Sequence, residues 1–161
     1  MSSAEIDRAW ALMESIMFCM LSTWDGQQIR SRPMAAVVRR TDGCIYFLAD
    51  VRAHKDDQIE QDPKVYLTFA HPHRQKYVSV VGRAEVSSDR GRIRKLWSIA
   101  AKMWWASPDD PNIRVITVTP IEADYWDSPN TWISNLRVAF GLLLGKHPDP
   151  GDRIHVVFHQ S

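Results

Sequence analysis

Two short basic elements carry the chemistry in this chain. The first is Ile29-Arg30-Ser31-Arg32-Pro33-Met34; the second is His54-Lys55, at the head of a polar segment that continues through Asp56-Asp57-Gln58-Ile59. Alternation along a strand sets Arg30 and Arg32 on one face, with Ser31 on the other. A helix opening at His54 and Lys55 presents bare amide N–H groups beside two potential cations, which suits a phosphate. The arginines and Lys55 stay charged at neutral pH, whereas an unperturbed histidine loses its charge near pH ~6.5. Two separated basic elements fit a compact phosphorylated ligand better than a long polyanion.

Other chemistries find less support. Lys plus Arg number 20 against 19 for Asp plus Glu, a net charge of +1. That balance argues against a nucleic-acid partner, which calls for a strong basic excess. His71-Pro72-His73 and the other histidines match no zinc spacing, so no metal is expected. The serines sit in no Gly-x-Ser-x-Gly context, and neither a P-loop nor Gly-x-Gly-x-x-Gly occurs. Cys19 and Cys44 each lie in an apolar run and read as reduced, buried thiols. The N-terminus lacks a secretory apolar core. The longest apolar run, Val138 to Leu144, falls far short of the roughly 20 residues that span a bilayer. A cytoplasmic protein with no membrane partner is the expectation.

The elements that position the basic residues follow from hydropathy spacing. Ile6, Ala9, Trp10, Met13 and Met17 predict an amphipathic helix over Ala4–Met17, with Ser3 available as a cap. Strands are predicted at Phe18–Thr23, Ile29–Val38, Cys44–Leu48, Val65–Ala70 and Tyr77–Val86, with turns at Asp25-Gly26 and Asp42-Gly43. A helix around Ala53–Gln61 stops at Asp62-Pro63. Gly82 marks a bulge or a close backbone approach. Helical spacing returns over Arg90–Trp105. Two strands are then predicted, Ile113–Thr119 and Glu122–Asp127, divided at Pro120. A helix at Thr131–Leu144 and a tail follow. The result is one domain, 1–161, with its C-terminal helix and tail at about 131–161. It is mainly β with peripheral helices: an antiparallel split barrel of about six or seven strands.

In this frame the chain resembles the flavin-binding split-barrel superfamily typified by pyridoxamine 5′-phosphate oxidase, in the branch called general stress protein 26. The resemblance spans roughly Ala4 to Asp127. It rests on Arg30-Ser31-Arg32-Pro33-Met34, Tyr46-Phe47-Leu48, His54-Lys55, the run from Tyr77 to Glu85, Leu96-Trp97, Trp104-Trp105, Asp109-Asp110-Pro111 and Tyr125-Trp126-Asp127. It implies an FMN cofactor lined by Arg32, Pro33 and Met34 and by Leu48 and Ala49, with the phosphate gripped at His54 and Lys55. FAD, haem or a deazaflavin fit the same resemblance less well. Arg30 and Ser31 belong to the same motif, and Trp105 and Trp126, with Trp104, offer indole faces that could wall an isoalloxazine ring. Ala49 and Ala53 stand where hydroxyl residues are common in the family, and His54 stands where Arg is, losing a planar fork of donors.

The resemblance further implies a homodimer with the flavin at the subunit interface. Two functional readings remain open: a flavin-dependent oxidoreductase, or a non-catalytic flavin carrier, buffer or redox sensor. No residue declares itself a general acid or base. Vitamin B6 oxidation is argued against, because Trp126-Asp127 leads into Ser128-Pro129-Asn130 and not into the family's substrate-closing motif. Arg153-Ile154-His155 echoes that motif only at the wrong distance.

Overall fold

The computed structural model describes residues 2–53, 55–98, 101–127 and 153–158, and of 53 and 55–57 the backbone alone. Helix α1 covers Ser3–Ile16. Its cap is Ser2 rather than Ser3: the Ser2 hydroxyl accepts from the Glu5 amide (3.3 Å), and the Glu5 carboxylate accepts from the Ser2 amide (2.8 Å). This reciprocal box satisfies two donors that a helix start leaves bare. The apolar stripe Ala9, Trp10, Leu12 and Met13 is buried. Met17, at φ 66°, turns the chain out of the helix and into the first strand.

Strands β1 (Phe18–Trp24) and β2 (Ile29–Ala35) form a hairpin, and β3 (Val37–Arg39) precedes β4 (Cys44–Asp50). The predicted strand Ile29–Val38 is therefore two strands broken at Ala36, whose amide leaves the ladder to donate to the Met17 carbonyl (2.9 Å). A 3₁₀ turn at Val51–Ala53 and helix α2 (Lys55–Gln61) lead to β5 (Lys64–His71) and β6 (Lys76–Ser87). Helix α3 (Arg90–Leu96), β7 (Ile113–Asp127) and β8 (Ile154–Val157) complete the described elements.

The sheet is antiparallel throughout, in the order β2-β1-β5-β6-β7-β4-β3, with β8 paired to β7. Its two end strands, β2 and β3, are neighbours in the chain across Ala36, so the sheet must curl to bring its edges together. That gives a split barrel. The inner face carries Cys19, Leu21, Ile45, Phe47, Val65, Leu67, Phe69, Val78 and Val80, all buried and backed by α1. Full burial of each large side chain contributes roughly 1.5–3 kcal/mol. Burial also pushes the Cys19 thiol up to about 12, leaving it inert near neutrality.

Three further sequence expectations need correction. Pro120 does not divide two strands, because β7 runs unbroken through it. The pairing shifts register between Val81 and Gly82, so that Gly82 faces Pro120 while Val81 faces Glu122. Gly82 supplies the predicted close approach: a Cβ there would lie 2.6 Å from a Val118 methyl. Second, the helix after Arg90 ends at Leu96 and not Trp105. A separate 3₁₀ turn at Ala101–Met103 brings Ala101 and Trp105 inward and leaves Met103 and Trp104 exposed. Periodicity records which side is buried, and two short turns satisfy it as well as one helix does. Third, the tail contributes a strand that sequence spacing does not predict. In β8, Val156 is buried in the main core, and the Phe158 ring meets Trp10 edge-on at 5.3 Å. The predicted helix Thr131–Leu144 lies outside the described residues.

Candidate functional site

Thr23 is the buried polar residue among the described ones, at 2% exposure. It occupies the inward register of β1 after Cys19 and Leu21, where the barrel opens toward α2. Its hydroxyl donates to the Gln58 Oε1 at 2.7 Å. Arg32, on the neighbouring β2, donates from one terminal nitrogen, Nη2, to the Thr23 hydroxyl at 2.7 Å and to the Gln58 Oε1 at 2.8 Å. A longer contact, 3.4 Å, reaches the Arg30 carbonyl. All of these partners are neutral. Burial, and then the nearby charge of Arg30, lower the Arg32 pKa from its ordinary value, as expected for a cation taken partly out of water without a counter-charge.

Arg30 behaves differently, although it shares that strand face. Its Nε donates to Asp25 at 2.6 Å. The Arg30 hydrogen bond, joined by the Gln28 and Gln27 amides, lowers Asp25 to about 2. The charge of Arg30 is thus matched within the β1–β2 turn, whereas Arg32 has no ion-pair partner among the described residues.

The remaining motif residues distribute over both faces. Met34 and Ala49 are both buried in the main core. Ser31 and Pro33 point to the outer face, where Ser31 meets the Ser22 hydroxyl at 2.5 Å and Pro33 pairs with Met20. Leu48 packs outward against a second apolar cluster formed by Tyr46, Ile93, Leu96, Ala101, Trp105, Ile113 and Val115. Trp105 belongs to that cluster, and its indole N–H donates to Asp50 at 3.2 Å. Arg52 also holds Asp50, at 2.5 Å, and keeps its carboxyl well below the usual carboxylate range. Trp126 pairs with Tyr77 on β6, whereas Trp104 is largely exposed. Lys55 opens α2, and His54 lies outside the described residues. The structure thus joins Arg32 to α2, and within one chain leaves Trp105 packed on the outer cluster over β4 and β7 and Trp126 on β7.

Thr23 and Gln58 are not singled out by sequence reasoning. The available signal for Thr23 is a hydroxyl at the third inward position of an otherwise apolar alternation. For Gln58 it is the one-turn spacing from His54. Among the described residues no three His, Cys, Asp or Glu side chains converge as a metal site, and no helix is long and apolar enough to cross a membrane.

The outer face of β1, β2, β5 and β6 is unusually apolar. Phe18 and Ile29 are 59% and 65% exposed, with Met20, Trp24, Tyr66 and Tyr77 also open. Trp24 faces Ile29 directly, Met20 faces Thr68 and Ser22 faces Tyr66, so these side chains form one continuous surface.

A curled antiparallel sheet, a plugging N-terminal helix and a half-buried guanidinium at the barrel mouth define a split-barrel protein. The chain belongs to the pyridoxamine 5′-phosphate oxidase-like family, whose model matches residues 4–149. General stress protein 26 of Bacillus subtilis is 28% identical over 79 residues, a match covering 47% of this chain and 56% of that protein. Among solved structures, a general stress protein 26 from Jannaschia sp. CCS1 superimposes with a TM-score of 0.77 at 23% identity, over 96% of this chain and 99% of its own. The general stress FMN/FAD binding protein of Xanthomonas citri gives a TM-score of 0.70 at 19% identity, over 81% and 93%. The chain is therefore similar to general stress protein 26 in sequence and shares the split-barrel fold of the two solved structures.

Proposed function

We propose that this protein binds FMN, and that it does so as a homodimer. The observation that carries the reading is Arg32: a half-buried guanidinium whose hydrogen-bond partners among the described residues are all neutral. Lys55 opens the helix to which Arg32 is tied through Gln58, and with His54 it would hold a phosphate beside that guanidinium. A flavin monophosphate also suits the family, and the Xanthomonas citri protein is named for FMN/FAD binding. Bound there, FMN would supply hydride or electron transfer, and the protein would supply binding and orientation. The bare apolar face of β1, β2 and β5 supports a second copy of the chain as the group that covers it.

A non-catalytic flavin carrier, buffer or redox sensor is the second reading. It is favoured by the neutrality of the groups around Arg32, since neither Thr23 nor Gln58 is suited to exchange protons near neutral pH. Steady NAD(P)H oxidation by the flavin-loaded dimer separates an oxidoreductase from a carrier. The binding proposal is tested by titrating FMN into apoprotein while following flavin and tryptophan fluorescence. Saturable quenching is expected, and no binding at high micromolar FMN contradicts the proposal.

A further inference from the structure

The three-way contact of Thr23, Arg32 and Gln58 fixes which groups donate. The Gln58 carboxamide oxygen accepts from both Thr23 and Arg32, at 2.7 and 2.8 Å. Only the oxygen end of the amide can face two donors, so the orientation of the Gln58 side chain is set by chemistry. The Thr23 hydroxyl, which donates to Gln58, accepts from Arg32 with its lone pairs. Arg32 thereby commits the two hydrogens of Nη2. Its Nη1 and Nε, three further N–H groups in a planar fork, have no hydrogen-bond partner among the described residues. The network aims a guanidinium and, among the described residues, sets no carboxylate against its open side.

We infer that Gln58 is the positioning and charge-selecting residue of the anion site: a neutral acceptor that orients Arg32 without neutralising it. A carboxylate at this position would accept the same two hydrogen bonds. It would also pair with Arg32 as Asp25 pairs with Arg30, and would repel an incoming phosphate. The Asp25–Arg30 contact, on the same hairpin, is an internal example of that compensated state. Anion selectivity at the barrel mouth therefore turns on the difference between an amide and a carboxylate on α2. This inference rests on the FMN-binding reading for its ligand, but not for its anion chemistry.

Gln58→Glu is the decisive variant because it preserves shape and hydrogen-bond acceptance. Its thermal midpoint should equal or exceed that of the parent protein. FMN affinity should fall about ten- to a hundred-fold, the range expected when one charge-assisted contact is lost. Riboflavin, which has no phosphate, should bind within about three-fold of its parent affinity. Gln58→Met removes the acceptor but adds no charge, and should weaken FMN less than Gln58→Glu does. A purely packing role for Gln58 would reverse that order, because methionine disturbs the network more. A second arm reads the site without flavin. Inorganic phosphate, added at constant ionic strength, should raise the thermal midpoint of the parent protein and not that of Gln58→Glu. If FMN binds the parent and Gln58→Glu equally, the inference is overturned while the cofactor reading stands. If the parent responds to phosphate but fails to bind FMN, the cofactor reading falls and the inference stands. No phosphate response in the parent overturns the inference.

Discussion

The outer face of the sheet is treated differently in its two halves. Over β4 and β7 the chain covers itself: Ile93 and Leu96 of α3, with Ala101 and Trp105, close on Tyr46, Ile113 and Val115. Over β1, β2 and β5 nothing among the described residues covers Phe18, Met20, Trp24, Ile29 or Tyr66. The two halves are similarly apolar. What differs is the source of the cover, which lies within the chain on one side and, in the proposed dimer, in a second copy on the other. Arg32, which has no ion-pair partner among the described residues, lies on the strand pair whose back no described residue covers, so in the proposal cofactor capture and subunit pairing would share the β1–β2 hairpin.

Substitutions in the two halves should therefore fail in different ways. The largest effect is expected on the covered side. Ile93→Ala deletes a fully buried side chain and should cost about 2–5 kcal/mol of folding stability, read as a lower urea midpoint. On the bare side, Ile29→Glu should leave the folding stability of the single chain within about 0.5 kcal/mol, because the residue is already exposed. It should instead raise the dimer dissociation constant at least about a hundred-fold, which is a loss of some 2.7 kcal/mol at the interface. Light scattering that gives one unchanged mass for parent and variant would remove the contrast between the halves.

The smallest effect concerns the β1–β2 turn that joins the two faces. Asp25, lowered to about 2 from 3.8 mainly by its hydrogen bond from Arg30, is more acidic folded than unfolded. Its contribution to stability is thus fully present above pH ~4 and is lost as the pH falls through about 2. Because the pair is exposed, the effect should be slight. Asp25→Asn should flatten that acid limb of the stability profile and leave the neutral-pH value nearly unchanged. A parent profile that is already flat between pH 4 and 2 would contradict the assignment.

Much of this architecture is legible in the order of the residues. Period-2 alternation locates β1, β4, β5 and β6, and Gly82 is readable as a bulge because a strand glycine has few other uses. Pro120 misleads for a physical reason: a proline lacks an amide donor, but the register shift opposite Gly82 lets the strand pass through it. The strand Ile154–Val157 escapes notice because four residues carry too little periodicity to stand out from a tail rich in Pro and Gly. The position of Arg32 on the inward face of β2 is legible from strand alternation, whereas its difference from Arg30 is not. Two arginines on one strand face look alike in sequence, and only the described partners separate them: a carboxylate, Asp25, for Arg30, and the neutral Thr23 and Gln58 for Arg32.

The central claim is that Arg32 holds its charge for the phosphate of a flavin. It is tested most directly by measuring FMN and riboflavin affinities side by side for the parent protein and for Arg32→Met. The parent should prefer FMN, and in the variant that preference should shrink about ten- to a hundred-fold, with riboflavin affinity little changed. Equal weakening of both ligands, or an unchanged preference for FMN, would contradict the claim.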